Sequence, residues 1–256
     1  MTINYLKHRL ISCFHFKYRY GYGVHSPFSY HLIKNVIGEK TPYYCYGKIE
    51  SLRKELAGRK EDIAVFDSQT QSYFHTKIRN LAKKTIPARY GQLLFRLANH
   101  AKPQTIIHFG SSLGITTAYL ASVSSATACV AIETCPNTAQ AAKKILEACN
   151  CSNVSVRVAQ NKPEIDEIIW EFSSVDFIFF DKFFNNQIKS HFYTLLSKVN
   201  EKSVFIFTDI HRTVEAHNAW EEIKNNEQVR VSIDLINLGI VYFSPELKKQ
   251  QYKFYY

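Results

Sequence analysis

From residue 105 onward, short β-branched and aromatic runs alternate with helix-length stretches, and this alternation constrains the fold more than any other feature. The runs are TIIHFG (105–110), ACVAIE (128–133), VSVRVA (154–159), VDFIFFD (175–181), SVFIFTD (203–209), VRVSIDL (229–235) and GIVYF (239–243). Between the first six lie helix-like stretches at 114–122, 136–149, 163–171, 187–199 and 213–225, with Pro136 and Pro163 placed for a first helical turn. Strands joined by crossover-length helices dictate βαβ units and a mostly parallel sheet covered by helices. The last two runs are separated only by Ile236, Asn237 and Leu238, with Gly239 expected at the turn. No crossover fits in that length, so the final strand must reverse direction.

The first hundred residues read differently. YLKHRLISCFHF, PFSYHLIKNVIG, KIESLRKELAGRK and YGQLLFRLANHAK carry apolar residues at helical spacing, whereas EDIAVFDSQTQSYFHTK shows no clear period and is expected to be a loop. The expected division is a basic, aromatic-rich helical cap over 1–100, not independent and packed on the sheet's C-terminal edge, followed by the sheet domain over 101–256. Residues 1–100 hold 17 Lys and Arg against 6 Asp and Glu, while 101–256 hold 15 against 16. A basic segment with interleaved aromatics suits nucleic acid or an anionic surface, and equally a solvated helical face whose rings pack inward. Six cysteines without a Cys-x-x-Cys pair, including Cys149-Asn150-Cys151, suggest reduced thiols rather than disulfides or structural zinc. With no apolar run long enough to span a bilayer, a cytoplasmic protein is expected.

In an open parallel sheet, ligands bind beyond the carboxyl ends of the strands. The residues there are Gly110, Ser111 and Ser112, with Gly114 closing the loop; then Glu133; then Gln160 and Asn161; then Asp181; then Asp209 with His211 close behind. Gly110 and Gly114 allow close approach of backbone to a ligand, or serve only to turn the chain. Glu133 is placed to accept hydrogen bonds from a ribose diol, or to favour the helix start near Pro136. Asp181 and Asp209 on neighbouring strand ends could orient a nucleophile or hold a divalent cation. Asp209 could instead cap the next helix, and His211 could act as a general base or a surface hydrogen-bonder.

These residues resemble a known family. IIHFGSSLGITTAYLA, AIE, VDFIFFD, FIFTDIH with AWEEIK, and VSIDLINLGIVYF look like a class I S-adenosylmethionine-dependent methyltransferase, in particular the O-methyltransferase-like group common in Bacteroidetes. GYGVHSPFSYHLI and YGQLLFRLANHAKPQTI resemble that group's N-terminal signatures, so the resemblance covers nearly the whole chain. It implies a Rossmann-like, doubly wound, seven-stranded α/β sheet with an antiparallel last strand. It implies that the Gly110–Gly114 loop cradles the methionine part of the cofactor, with His108 at a position near its ammonium group. Glu133 would bind the ribose hydroxyls, Gln160 and Asn161 would lie near the adenine, and Asp181 would sit beside the sulfonium and the substrate.

The chain departs from the group's pattern in places. His108 stands where relatives usually have Glu, Thr208-Asp209 stands for an acid pair, and KFFNN follows Asp181 in place of a small polar turn. Related enzymes hold Mg²⁺ with two Asp and an Asn; Ile210 occupies the Asn position, which counts against a bound metal. The expected function is S-adenosylmethionine-dependent O-methylation of a small molecule. Asp181, Asp209 and His211 are the expected catalytic residues. The alternatives are a binding protein that has lost turnover, a nicotinamide-dependent oxidoreductase and an RNA methyltransferase. A homodimer is compatible with all of them.

Overall fold

The computed structural model describes residues 18, 20–67, 70–181 and 187–256, so YLKHRLISCFHF and the KFFNN loop lie outside the described residues. The chain forms two compact units, one of residues 41–171 and the other of 172–256 with the described part of 1–40. Helices from the first hundred residues occur in both. A short helix α1 (Pro27–His31), capped by Ser26, runs into a π-helical turn (Leu32–Ile37) in the second unit. Helices α2 (Tyr44–Gly58), α3 (Ile78–Lys84) and α4 (Ala88–Ala101) belong to the 41–171 unit.

That unit also contains β1 (Asp62–Asp67) and β2 (Ser72–Lys77), an antiparallel hairpin where a loop is expected from the sequence. The difference has a physical reason. Neither strand has a fully buried face, so inward and outward positions carry no strict alternation for the sequence to display. What fixes the hairpin is tertiary contact: Ala64 O accepts from Asn137 Nδ2 at 2.9 Å and from Cys135 Sγ at 3.5 Å.

The remaining elements of this unit follow the expected alternation: β3 (Thr105–Phe109), α5 (Ile115–Ala121), β4 (Ala128–Glu133), α6 (Pro136–Ala148), β5 (Val154–Val158) and α7 (Lys162–Trp170). β3 pairs in parallel with β4, and β4 with β5. Helix α6 starts at Pro136, whose fixed φ suits the first turn, and buries Ala139, Ala142, Ile145 and Leu146 at spacings of three and four.

The second unit comprises β6 (Val175–Phe180), α8 (Gln187–Leu196), β7 (Val199–Thr208), α9 (Val214–Asn225), β8 (Val231–Asp234), β9 (Leu238–Tyr242) and β10 (Gln250–Lys253). β6 and β7 are parallel, β9 lies antiparallel between β7 and β8, and β10 runs parallel to β8. The fold is therefore α/β and Rossmann-like, mostly parallel with a reversed strand. β10 is an addition to the seven strands read from the sequence. Four consecutive residues of β6, Phe177 to Phe180, are wholly buried, as a strand covered on both faces requires.

The tight β8–β9 connection differs from expectation in one detail. Its left-handed residue is Ile236 (φ 72°), held by a hydrogen bond from Ile236 N–H to Asp234 Oδ1 at 2.9 Å. Gly239 lies within β9, where an added Cβ would come within 2.6 Å of the Trp220 ring. Its smallness serves helix-to-sheet packing rather than the turn.

Candidate functional site

The chemistry-bearing residues fall in both units, and each set has its own geometry. In the 41–171 unit, β3 ends in a loop with three left-handed residues in five: Gly110 (φ 82°), Ser112 (φ 52°) and Gly114 (φ 80°). Gly110 N–H donates to Ile132 O at 2.9 Å, which ties the loop to the neighbouring strand. Gly114 N–H closes a turn on Ser111 O at 2.9 Å. Left-handed backbone at a serine costs on the order of 1 kcal/mol, so Ser112 is held there by its surroundings. Its N–H donates to the Glu133 carboxylate. Ser111 Oγ is buried and has no hydrogen-bond partner among the described residues.

Glu133, the last residue of β4, is buried and accepts a short hydrogen bond from Thr138 Oγ1. Burial pushes its carboxyl pKa above the ordinary value, and the Thr138 hydroxyl and Ser112 N–H only partly offset that rise. A carboxylate offers about four lone-pair positions, so two donors leave acceptor capacity for a ligand diol. Thr138, one turn into α6, is a site residue the sequence reading missed. The signal was a hydroxyl five residues beyond an acid at a strand end.

Other positions have local duties. Asn161 caps α7, accepting from Glu164 N–H at 3.0 Å and donating to Glu164 Oε1 at 2.5 Å. Glu164 Oε2 in turn accepts from the N–H of Gln160, the residue before the cap, at 2.7 Å. The Asn161 side chain is committed to the helix start, and Gln160 is half-buried beside it.

His108 requires a correction. It is wholly buried, its Nδ1 lies 2.8 Å from Thr117 Oγ1, and burial lowers its pKa to about 3. The ring is a neutral core group linking β3 to α5, with no surface for a cofactor's ammonium group.

In the second unit, Asp181 at the end of β6 is 5% exposed, and Thr208 Oγ1 lies 3.4 Å from its Oδ1. Asp209 follows β7 in a left-handed conformation (φ 56°), its N–H bonded to Asn237 O at 2.8 Å. Its Oδ2 accepts from Arg212 Nη1 at 3.0 Å, so it caps no helix; Thr213 does, its hydroxyl accepting from Ala216 N–H at 3.1 Å. Ile210 is wholly buried and supplies no ligand atom. With a guanidinium on Asp209 and an apolar neighbour, these residues do not fit a divalent cation. Among the described residues, no group of three or more His, Cys, Asp or Glu is arranged to hold one.

His211 requires the second correction. It is wholly buried, with Nε2 2.7 Å from Asp234 Oδ2 and Nδ1 3.2 Å from His217 Nδ1. Both ring nitrogens are engaged within the unit, so the geometry withdraws His211 as a general base for a substrate. Asp234 also meets Lys253 Nζ at 3.3 Å. Burial pushes its carboxyl pKa up, but His211, Lys253 and the Ile236 N–H more than offset that, and it lies below the ordinary value.

The fold is shared with known methyltransferase structures. The chain is similar to an O-methyltransferase from Bacillus cereus in complex with SAH, at 14% identity and a TM-score of 0.58, covering 93% of this chain and 99% of that one. It is similar to the O-methyltransferase TomG from Streptomyces achromogenes in complex with SAM, at 14% identity and 0.56, covering 95% and 100%. A third similar structure is the SAH-bound methyltransferase PaMTH1 from Podospora anserina, at 12% identity and 0.55, covering 80% and 99%. The chain has the methyltransferase fold. No family model matches its sequence, and no curated protein matches it.

Proposed function

We propose that the chain is an S-adenosylmethionine-dependent methyltransferase acting on an oxygen of a small molecule. The observation that carries the cofactor reading is the Glu133 carboxylate, buried and oriented by Ser112 N–H and Thr138 Oγ1 beside a strained glycine loop. The residues fit the cofactor: Glu133 has acceptor positions left for a ribose diol, and the orphaned Ser111 hydroxyl gains a partner when a polar ligand enters the loop. When bound, the cofactor supplies an electrophilic methyl group on a sulfonium.

The protein's part is binding and positioning, which are enough for an in-line transfer. Glu133 fixes the diol, Gly110 lets backbone approach closely, and Gly114 lets the loop pack on α6. Asp181, buried at its strand end, orients the acceptor. With His211 sequestered, Asp209 is the proposed recipient of the acceptor's proton, and Arg212 must first yield its place on the carboxylate. The likeness to O-methyltransferases supports oxygen as the acceptor atom.

A second reading is a binding protein that keeps the cofactor and has lost turnover. The sequestration of His211 and the Arg212 guanidinium on Asp209 favour it. Calorimetry with S-adenosylhomocysteine, followed by transfer of labelled methyl to a panel of phenols and to RNA, separates the readings. Binding with transfer to phenols supports the proposal. Binding without transfer supports the second reading, and salt-sensitive transfer to RNA assigns the acceptor to nucleic acid. Absence of binding removes both.

A further inference from the structure

The ends of α5 and α6 remote from the glycine loop and Glu133 meet α2 around a cavity of about 280 Å³, lined by Cys45, Cys149 and Cys151 with Ser122 and Lys48. The five described cysteines are free thiols, so three of them converge on one cavity in reduced form. The turn that brings two of them there is well defined. Cys149 caps α6, Asn150 is left-handed (φ 59°), and Cys151 N–H returns to Leu146 O at 2.9 Å. That turn sets two thiols, two residues apart in sequence, on the wall of one cavity. Lys48 is exposed, forms no ion pair among the described residues, and acts on both Cys149 and Cys151 as the cation favouring their thiolates.

We propose that Cys149 and Cys151 form a thiol–disulfide exchange site for small disulfides that carry carboxylates. The proposal is independent of the methyl-transfer reading. Cys149, the most exposed of the three, is the attacking thiol, and Lys48 holds a carboxylate of the incoming molecule. The Cys149 thiolate attacks one sulfur of the disulfide; a new S–S bond forms, the old one breaks, and one thiolate leaves. The Cys151 thiolate then attacks the Cys149 sulfur of the mixed disulfide and displaces the second thiolate. Two protein thiols are oxidised by two electrons, the small disulfide is reduced to two thiols, and the two protein protons end on the released thiols.

Burial pushes the Cys149 thiol to about 11, with the Cys151 sulfur adding to the rise and Lys48 opposing it. The thiolate is therefore a small fraction near neutrality, and exchange should quicken about tenfold per pH unit between roughly pH 8 and pH 10. Cys129, wholly buried next to Cys151 and off the cavity, is the internal control.

The test is incubation of the full chain with oxidised glutathione at pH 9, acid quenching and peptide mass mapping. The native chain should lose two hydrogens within the single peptide carrying Cys149 and Cys151. Cys151→Ser should accumulate glutathione on Cys149, and Lys48→Gln should slow that step several-fold with the pH profile moved upward. A persistent glutathione adduct in the native chain, an internal link through Cys45, or labelling of Cys129 at the same rate would overturn the proposal. So would a Cys149→Ser chain that takes the adduct on Cys151 as fast as the native chain reacts. The native-chain result requires no substitution, so a misfolded variant does not leave the question open.

Discussion

His211 Nε2 lies 2.7 Å from Asp234 Oδ2, with both side chains buried. Removing Asp234 leaves His211 Nε2 buried without this partner, and a buried polar group left unsatisfied costs about 1–3 kcal/mol. Asp234→Ala should therefore destabilise the protein by that amount in urea denaturation at pH 7. The pH dependence has a definite sign. The folded-state pKa of Asp234 is depressed, so its contribution is present above the unfolded carboxyl value, near 4, and is lost as pH falls through the folded value. The native chain should lose this contribution in strong acid, and Asp234→Ala should show a flatter acid limb.

The Thr138 hydroxyl on Glu133 yields a binding prediction. Ribose recognition requires an ionised carboxylate, and burial already raises the Glu133 pKa. Thr138→Val removes a donor that favours the anion, so the pH below which S-adenosylhomocysteine affinity declines should move upward. Glu133→Ala should weaken binding about 10–100-fold at pH 8, the loss expected for hydrogen bonds to a charged group. Calorimetry from pH 5 to 8 reads both effects. Unchanged affinity in Glu133→Ala would remove the cofactor assignment.

The strand–helix alternation, the reversed strand and the loop glycines were legible because each rests on local chemistry: apolar runs, first-turn prolines and a connection too short for a crossover. The roles of His108 and His211 were not. A histidine's sequence position does not reveal whether its ring meets solvent or Thr117 and Asp234, which lie nine and twenty-three residues away. The β1–β2 hairpin was hidden for a related reason. Its half-exposed faces carry no period, and its anchor, Asn137 on Ala64 O, spans seventy-three residues. Glu133 could be named as a ligand group from its strand end, but the donors that orient it, Thr138 and Ser112 N–H, depend on how the loop and α6 pack.

Gly114 couples the loop to α6. An added Cβ would lie 3.0 Å from Ala142 O and 3.1 Å from Ala142 Cα, both backbone atoms with little room to yield, and its φ of +80° disfavours any side chain. Gly114→Ala should cost roughly 2–3 kcal/mol in urea denaturation, combining the left-handed penalty with the overpacking. S-adenosylhomocysteine affinity should fall as well, since the turn that fixes Ser112 shifts. Wild-type stability in this variant would show that the loop does not pack on α6 as described.

His108 should leave a signature in stability against pH. Burial lowers its folded pKa to about 3, whereas an unfolded histidine titrates near 6.5. Below that value the unfolded state binds a proton that the native state refuses, so stability falls as the medium is acidified. Between pH 7.5 and 5 this one ring should remove about 2 kcal/mol. His108→Gln keeps a polar group within reach of Thr117 and does not titrate, so the variant's loss over the same interval should be smaller by that amount, whatever its absolute stability. Paired urea denaturation curves at the two pH values measure it. Equal losses in the two proteins would mean that His108 accepts a proton in the folded state, and the buried, neutral ring would have to be abandoned.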